Sequence, residues 1–323
     1  MAKAVRFHKQ GGPEVLQLDE IQVGEPGQGQ VRIRHTAIGV NFVDTYQRSG
    51  LYPMQLPAVA GNEAAGVVEA VGPGVKDLKK GDRVAYTGLP GSYCDVRLVP
   101  ADRMVKIPKG ISDQQAASMM LKGMTVHYLI HSTYKVKKGE TVLWHAAAGG
   151  VGLIAGQWLK KLGANTIGTV GSEEKAKLAK AHGWKHVINY STENFVEKVK
   201  ELTKGKKVPV VYDSVGKTTW DGSLDCLQPR GLMVSFGNAS GPVPPQSIAI
   251  LNAKGSLYLT RPSLGAYTAT RADLEKSANS LFKMVKSGKV KIAIDQRYPL
   301  AEAGQAHADL EGRKTTGQTI LVP

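Results

Sequence analysis

The sequence predicts an α/β chain of two domains. A β-rich, barrel-like domain is expected over residues 1–125, completed by 263–323. A doubly wound parallel-sheet domain is expected over 126–262. Three observations lead there. Thr141–His145 is β-branched and apolar, small residues run from Ala146 to Gly152, and Leu153–Leu162 places Leu153, Ile154, Trp158, Leu159 and Leu162 at helical spacing. Strand-like and helix-like segments then alternate, the pattern of a parallel sheet covered on both faces. Before them, short strand-like runs sit between Gly and Pro turns, the pattern of a small barrel. With 323 residues the chain exceeds what one core usually serves.

In order, Lys3–Phe7 and Gln30–Thr36 are strand signals, the second alternating apolar and basic residues. Val67–Val71 and Arg83–Tyr86 follow, with turns at Gly72–Gly74 and Lys80–Asp82. Ser112 is placed to cap the helices leading out of the first domain. Strands are expected at 141–146, 166–170, 186–189, 208–213, 231–236 and 255–259, and helices at 151–163, 173–182, 192–203, 217–228 and 246–253. An amphipathic helix covers 272–287. Strand signals at 293–294 and 319–322 close the chain, the last returning to the first domain.

Composition narrows the function. Two cysteines far apart, Cys94 and Cys226, argue against a disulfide framework and suit the cytoplasm. The N-terminal stretch lacks the apolar core of a signal peptide, and no apolar run approaches the roughly 20 residues that span a bilayer. A net charge of +15 favours anionic ligands. The lysines and arginines lie in short clusters beside glycines, as in solvated turns, with no recognition helix, zinc-finger spacing or aromatic-basic RNA motif.

The small-residue run is a form of the dinucleotide fingerprint G-x-G-x-x-G with Ala147 in the first slot, then Gly149 and Gly152. The first slot sets the tight turn, Gly149 lets main chain approach a pyrophosphate, and Gly152 lets helix and strand pack. Together with Gly150 and Val151 they place main-chain N–H groups at the positive end of a helix. The second strand ends at Gly171-Ser172, with no acidic side chain in the position that holds the ribose hydroxyls of NAD. Glu173 and Glu174 follow, where carboxylates favour a helix start.

Gly139-Glu-Thr-Val-Leu143, Ala147-Ala-Gly-Gly-Val-Gly152, Gln157 and Lys160 carry a family signature at its spacing. With Gly39–Tyr46, Gly61–Gly66, Tyr212–Gly216 and Phe236–Asn238, the chain resembles, end to end, the zinc-independent quinone oxidoreductases of the medium-chain dehydrogenase/reductase superfamily, which include zeta-crystallin. The resemblance implies a GroES-like catalytic domain with a Rossmann domain, a homodimer, and NADPH as cofactor. It implies that Ser172, Lys175, Tyr190 and Arg313 meet the 2′-phosphate, the chemistry of a hydroxyl, two cations and a phenol. Asn41 and Thr45 are implied at the nicotinamide and its ribose, Tyr128 along the cofactor cleft, and Ser214, Phe236, Gly237 and Asn238 at later strand ends. The zinc alcohol dehydrogenases of the superfamily have Cys and His where this chain has Asn41 and Asn62, and neutral amides are poor zinc ligands. No metal is therefore expected.

The implied activity is NADPH-dependent reduction of a quinone, by hydride or single electrons. Tyr46, with Asn41 as a second donor, is the candidate to orient the acceptor carbonyl. His145, just before the glycines, reads as a packing residue and not a base. An alternative on the same geometry is reduction of 2-alkenals and enones. Alternatives of another class are RNA binding, suggested by the charge, and NADPH sensing without turnover.

Overall fold

The computed structural model describes residues 1–323, which form two compact units. The first comprises Met1–Met124, Thr268–Ser287 and Ile292–Pro323; the second comprises Thr125–Tyr267 with Gly288–Lys291.

In the first unit, one sheet runs in the order Ile294–Pro299, Gln318–Val322, Gln30–Gly39, Glu63–Val71, Arg83–Thr87, Val105–Lys106, and Val96–Pro100 also pairs with Gln30–Gly39. A second sheet holds Gln17–Ile21, Ala2–Phe7 and Ala58–Val59. The alternation in Gln30–Gly39 has a direct cause. Val31 and Ile33 face a core that includes Phe7, Ile38, Tyr86, Tyr93 and Met104, while the opposite face carries Arg34, paired with Glu69 at 2.6 Å. The helix Phe42–Ser49 follows this strand at once, and Gly50 ends it in the left-handed region at φ 85°.

The second unit is a six-stranded parallel sheet ordered His186–Asn189, Asn165–Val170, Thr141–Trp144, Val208–Asp213, Leu227–Ser235, Tyr258–Thr260. In chain order that is third, second, first, fourth, fifth, sixth: the doubly wound arrangement, which reverses direction beside the strand carrying the glycine turn. The strands are short and apolar because both faces are covered. Leu143, Ile167, Val211, Trp220, Leu224 and Met233 share one buried cluster.

Several expected elements differ. The helix expected at 217–228 is only Trp220–Asp225, because Cys226 and Leu227 turn into the core and the strand begins at Leu227. Arg230, at φ 61°, breaks that strand's regularity. The helix expected at 246–253 is Ala249–Ala253, after Pro244 and Pro245, which favour extended backbone before them. The last strand starts at Tyr258 and not at 255, since Gly255 and Ser256 take φ of 115° and 54°. Ser263–Tyr267, assigned from sequence to the first domain, go with the second unit, where Tyr267 stacks on Tyr128 at 4.4 Å. Gly288–Lys291 do likewise: Gln157 bonds both the carbonyl and the N–H of Lys291, at 3.0 and 2.8 Å.

Candidate functional site

The glycine turn leaves the carboxyl end of the central strand. Its left-handed residue is Ala146, at φ 58°. This corrects the expectation that Ala147 makes the tight turn. Ala147 instead donates its N–H to Thr169 O at 3.0 Å and packs its methyl against Gly168. Gly149 caps the helix Gly150–Leu162, and a Cβ there would stand 3.3 Å from Ala146 O, a tight approach that the main chain would have to relieve. Gly152 is stricter: a Cβ would run into the carbonyls of Ala146 and Ala147, 2.6 Å from the latter. Trp184, which sequence reading missed, donates its indole N–H to Ala147 O and Gly152 O, both at 3.1 Å, and so fastens the turn from the side. The result is a close main-chain cradle at a helix start, where N–H groups and the helix dipole favour an anion. It fits a pyrophosphate.

At the next strand end, Gly171, Ser172 and Tyr190 come together. A Cβ on Gly171 would stand 2.7 Å from the Tyr190 hydroxyl, and Tyr190 is exposed. Ser172 caps the helix Glu173–Ala181 with Oγ accepting from Lys175 N at 3.3 Å, which puts Lys175 one turn along. Glu173 accepts from Asn189 Nδ2 at 3.0 Å. Arg313 belongs to the first unit, past the helix Ala303–Glu311, at φ 58°.

At the fourth strand end, buried Asp213 accepts from Val215 N, Gly216 N, Thr219 Oγ1 and Ser223 Oγ at 2.7–3.0 Å. Ser223 also lies 2.9 Å from His145 Nε2, whose Nδ1 lies 2.8 Å from Thr169 Oγ1. Burial pushes the His145 pKa down. This is a closed structural network with His145 at its centre. Gly237 lies against Ser214, where a Cβ would be 2.5 Å from the Ser214 carbonyl, and Phe236 packs its ring on Trp144 at 5.4 Å. Arg261, also missed from sequence, donates to Ser235 Oγ at 3.1 Å and Gly237 O at 3.0 Å. With its amide turned so that the carbonyl faces Arg261, Asn238 accepts from it at 2.9 Å. Tyr128 is buried in its stack on Tyr267.

The first unit holds a buried polar cluster. Asn41 Nδ2 donates to Glu63 Oε2 at 2.9 Å, and Asn41 N donates to Asp44 Oδ2 at 2.8 Å. Asn62 Nδ2 donates to Asp44 Oδ1 at 2.7 Å and to Gln47 Oε1 at 2.6 Å. Lys122 Nζ donates to Val40 O at 3.1 Å and stands 3.9 Å from Glu63 Oε2. Burial pushes Glu63 up to about 7, against the pull of Lys122, and Asp44 up to about 6, against its bond from Asn62. Burial likewise pushes Lys122 down. The two amides that replace zinc ligands are thus tied to carboxylates, and no group of three or more His, Cys, Asp or Glu side chains converges as a metal site.

Asn41 was expected as a donor to the acceptor. Its amide nitrogen faces Glu63, and what it leaves available is the carbonyl oxygen. Thr45 bonds back to Phe42 O at 2.8 Å, and Tyr46 packs edge-on against Tyr52 at 5.3 Å.

The family model for the alcohol dehydrogenase GroES-like domain matches residues 27–109, and the model for zinc-binding dehydrogenases matches 150–283. A quinone oxidoreductase of Pseudomonas aeruginosa is 55% identical over the whole of both chains. A 2-haloacrylate reductase of Burkholderia sp. is 49% identical, over all of this chain and 99% of that one. The crystal structure of Escherichia coli quinone oxidoreductase complexed with NADPH matches with a TM-score of 0.98 at 53% identity, covering both chains completely.

Proposed function

The chain belongs to the zinc-independent quinone oxidoreductases of the medium-chain dehydrogenase/reductase superfamily, and from this we propose that it is an NADPH-dependent quinone reductase. The observation that carries the proposal is the cradle at Ala146–Gly152, followed by a second strand end that offers a hydroxyl, a phenol and a cation, with the Glu173 carboxylate taken up by Asn189 Nδ2. Such a rim suits a 2′-phosphate and would leave the ribose of NAD without its usual partner.

NADPH supplies the reducing equivalents, as hydride or single electrons. The chain's part is to bind and orient. Ala147, Gly149, Gly150, Val151 and Gly152 hold the pyrophosphate. Gly171, Ser172, Lys175, Tyr190 and Arg313 hold the 2′-phosphate. Ser214, Phe236, Gly237, Asn238, Tyr128, Asn41 and Thr45 serve the rest of the cofactor, and Tyr46 orients the acceptor carbonyl. A quinone is electrophilic and its reduced oxygens take protons from water, so no strong base is called for.

A second reading is favoured by the 2-haloacrylate reductase relative: reduction of an electron-poor C=C bond by the same cofactor. Oxidation of NADPH with 1,4-benzoquinone and with a 2-alkenal, offered separately with NADH as control, tests both. Turnover of the quinone with NADPH preferred is the expected result; turnover of the alkenal alone moves the function to alkene reduction.

A homodimer is part of the proposal. The edge strand Tyr258–Thr260 is unpaired on one side and exposes Tyr258 and Leu259, a surface suited to a second copy. Light scattering at two protein concentrations tests it. No helix is long and apolar enough to cross a membrane. The cytoplasm is proposed on the two free, buried thiols, which suit a reducing compartment.

A further inference from the structure

We propose that Glu63 is a positioning residue that turns the Asn41 side chain so that its carbonyl oxygen, and not its amino group, meets a hydroxyl or amide N–H of the nicotinamide nucleoside. This deepens the reading above and rests on it.

The argument starts from donors and acceptors. In its ionised form, which Lys122 beside Oε2 favours, Glu63 only accepts, so the Asn41 atom 2.9 Å from Oε2 is then its nitrogen. The carbonyl oxygen then points the other way. It is buried, with Asn41 3% exposed, and the donor beside it is the Asp44 N–H of the capping box at the helix start. The Asp44 N–H, close by at the start of the same helix, donates to the Asn41 main-chain carbonyl at 3.0 Å. A buried acceptor short of a donor is costly, and a bound donor removes that cost.

Glu63 is itself held from three sides. Leu121 N donates to Oε1 at 2.7 Å, Asn41 to Oε2, and Lys122 stands beside Oε2. Gly39 leaves the room: a Cβ there would lie 2.5 Å from Glu63 Oε2. The carboxylate is therefore fixed before any ligand arrives, and Asn41 follows it.

The test exchanges the two groups. NADPH affinity is read from the change in its fluorescence on binding, without turnover, for the wild type, Glu63→Gln, Asn41→Asp and the double variant. 2′,5′-ADP, which lacks the nicotinamide nucleoside, is the second probe, and thermal unfolding reports on folding. Glu63→Gln brings a donor that can turn the Asn41 amide around, and is expected to weaken NADPH about five- to tenfold. Asn41→Asp sets two carboxylates face to face and weakens it similarly. The double variant restores a fixed acceptor and returns to within about twofold of wild type, while 2′,5′-ADP binds equally to all four.

A double variant no better than either single, or 2′,5′-ADP affinity falling in step with NADPH, overturns the proposal. So does a change confined to the KM for quinone. A wild type that binds NADPH and responds to the variants as described but reduces no quinone overturns only the quinone reading. A wild type that does not bind NADPH overturns both.

Discussion

The methyl of Ala147 lies 2.6 Å from the point where a Gly168 Cβ would stand, so one small side chain fills a space shared by two strands. The Trp184 ring bounds the same space at 3.1 Å. Gly168→Ala is expected to destabilise the protein by about 1–3 kcal/mol through overpacking, and to weaken NADPH binding by displacing the turn. Adding Ala147→Gly should recover part of the loss but not all, since Trp184 still crowds the new methyl. Urea unfolding of the two singles and the double gives the coupling; strict additivity would show that the contact does not matter.

Lys175 is expected to discriminate between cofactors. Lys175→Ala should raise the Kd for NADPH by about 10- to 100-fold, the worth of a charge-assisted bond, and move that for NADH less than about twofold. Added salt should weaken NADPH binding in the wild type more steeply than in the variant. Equal losses for both cofactors would detach Lys175 from the phosphate.

Tyr46 is expected to act on the acceptor. Tyr46→Phe keeps the ring against Tyr52 and removes only the hydroxyl. A fall in kcat/KM for 1,4-benzoquinone of about tenfold, with NADPH affinity unchanged, is the predicted pattern. An unchanged kcat/KM removes Tyr46 from the mechanism.

His307 should make stability sensitive to acid. It is fully buried, with Nδ1 3.0 Å from Arg48 Nη1 and Nε2 2.9 Å from the Tyr93 hydroxyl. Burial, with the Arg48 charge adding to it, lowers its pKa from 6.5 to about 3. Between those values the unfolded chain holds a proton that the folded chain refuses. The stability from His307 is thus complete above pH 6.5 and is lost as pH falls toward 3, by up to about 1.4 kcal/mol per pH unit. His35, lowered to about 3 chiefly by burial, adds a term of the same sign. Glu63 and Asp44 act oppositely. Their raised pKa values favour the folded state below the usual carboxylate range, and that contribution is lost as pH rises through about 6 for Asp44 and about 7 for Glu63. His307→Gln, which can keep both bonds, should show a shallower loss between pH 6.5 and 4. An unchanged slope in urea unfolding across that range would rule His307 out as a source of it.

Much of the second unit was legible in the sequence because a buried parallel strand writes itself as a short apolar run. Val142-Leu143-Trp144 and Val208–Tyr212 are such runs, each closed by small or polar residues. The glycine at 152 was legible for the same local reason. The left-handed turn at Ala146 was not, since nothing in alanine announces a positive φ and the conformation is imposed by the packing around it. Nor were Glu63 and Lys122: a charged side chain is normally read as surface. Only the fold brings Leu121 N to a carboxylate 58 positions away, or Arg48 to His307 across 259. Arg261 hid likewise, as one basic residue after a strand, until Gly237 and Asn238 curled onto it.

The strand Gln318–Val322 pairs with Gln30–Gly39 on one side and Ile294–Pro299 on the other. On a ribosome, the second unit has nearly all its residues in hand long before those last ones emerge. The earlier-made part of the first unit must meanwhile wait with Ile38 and Gly39 uncovered at the end of the Gln30–Gly39 edge, the rest of which pairs with Val96–Pro100. Synthesis therefore begins the first unit before the second but finishes it afterwards.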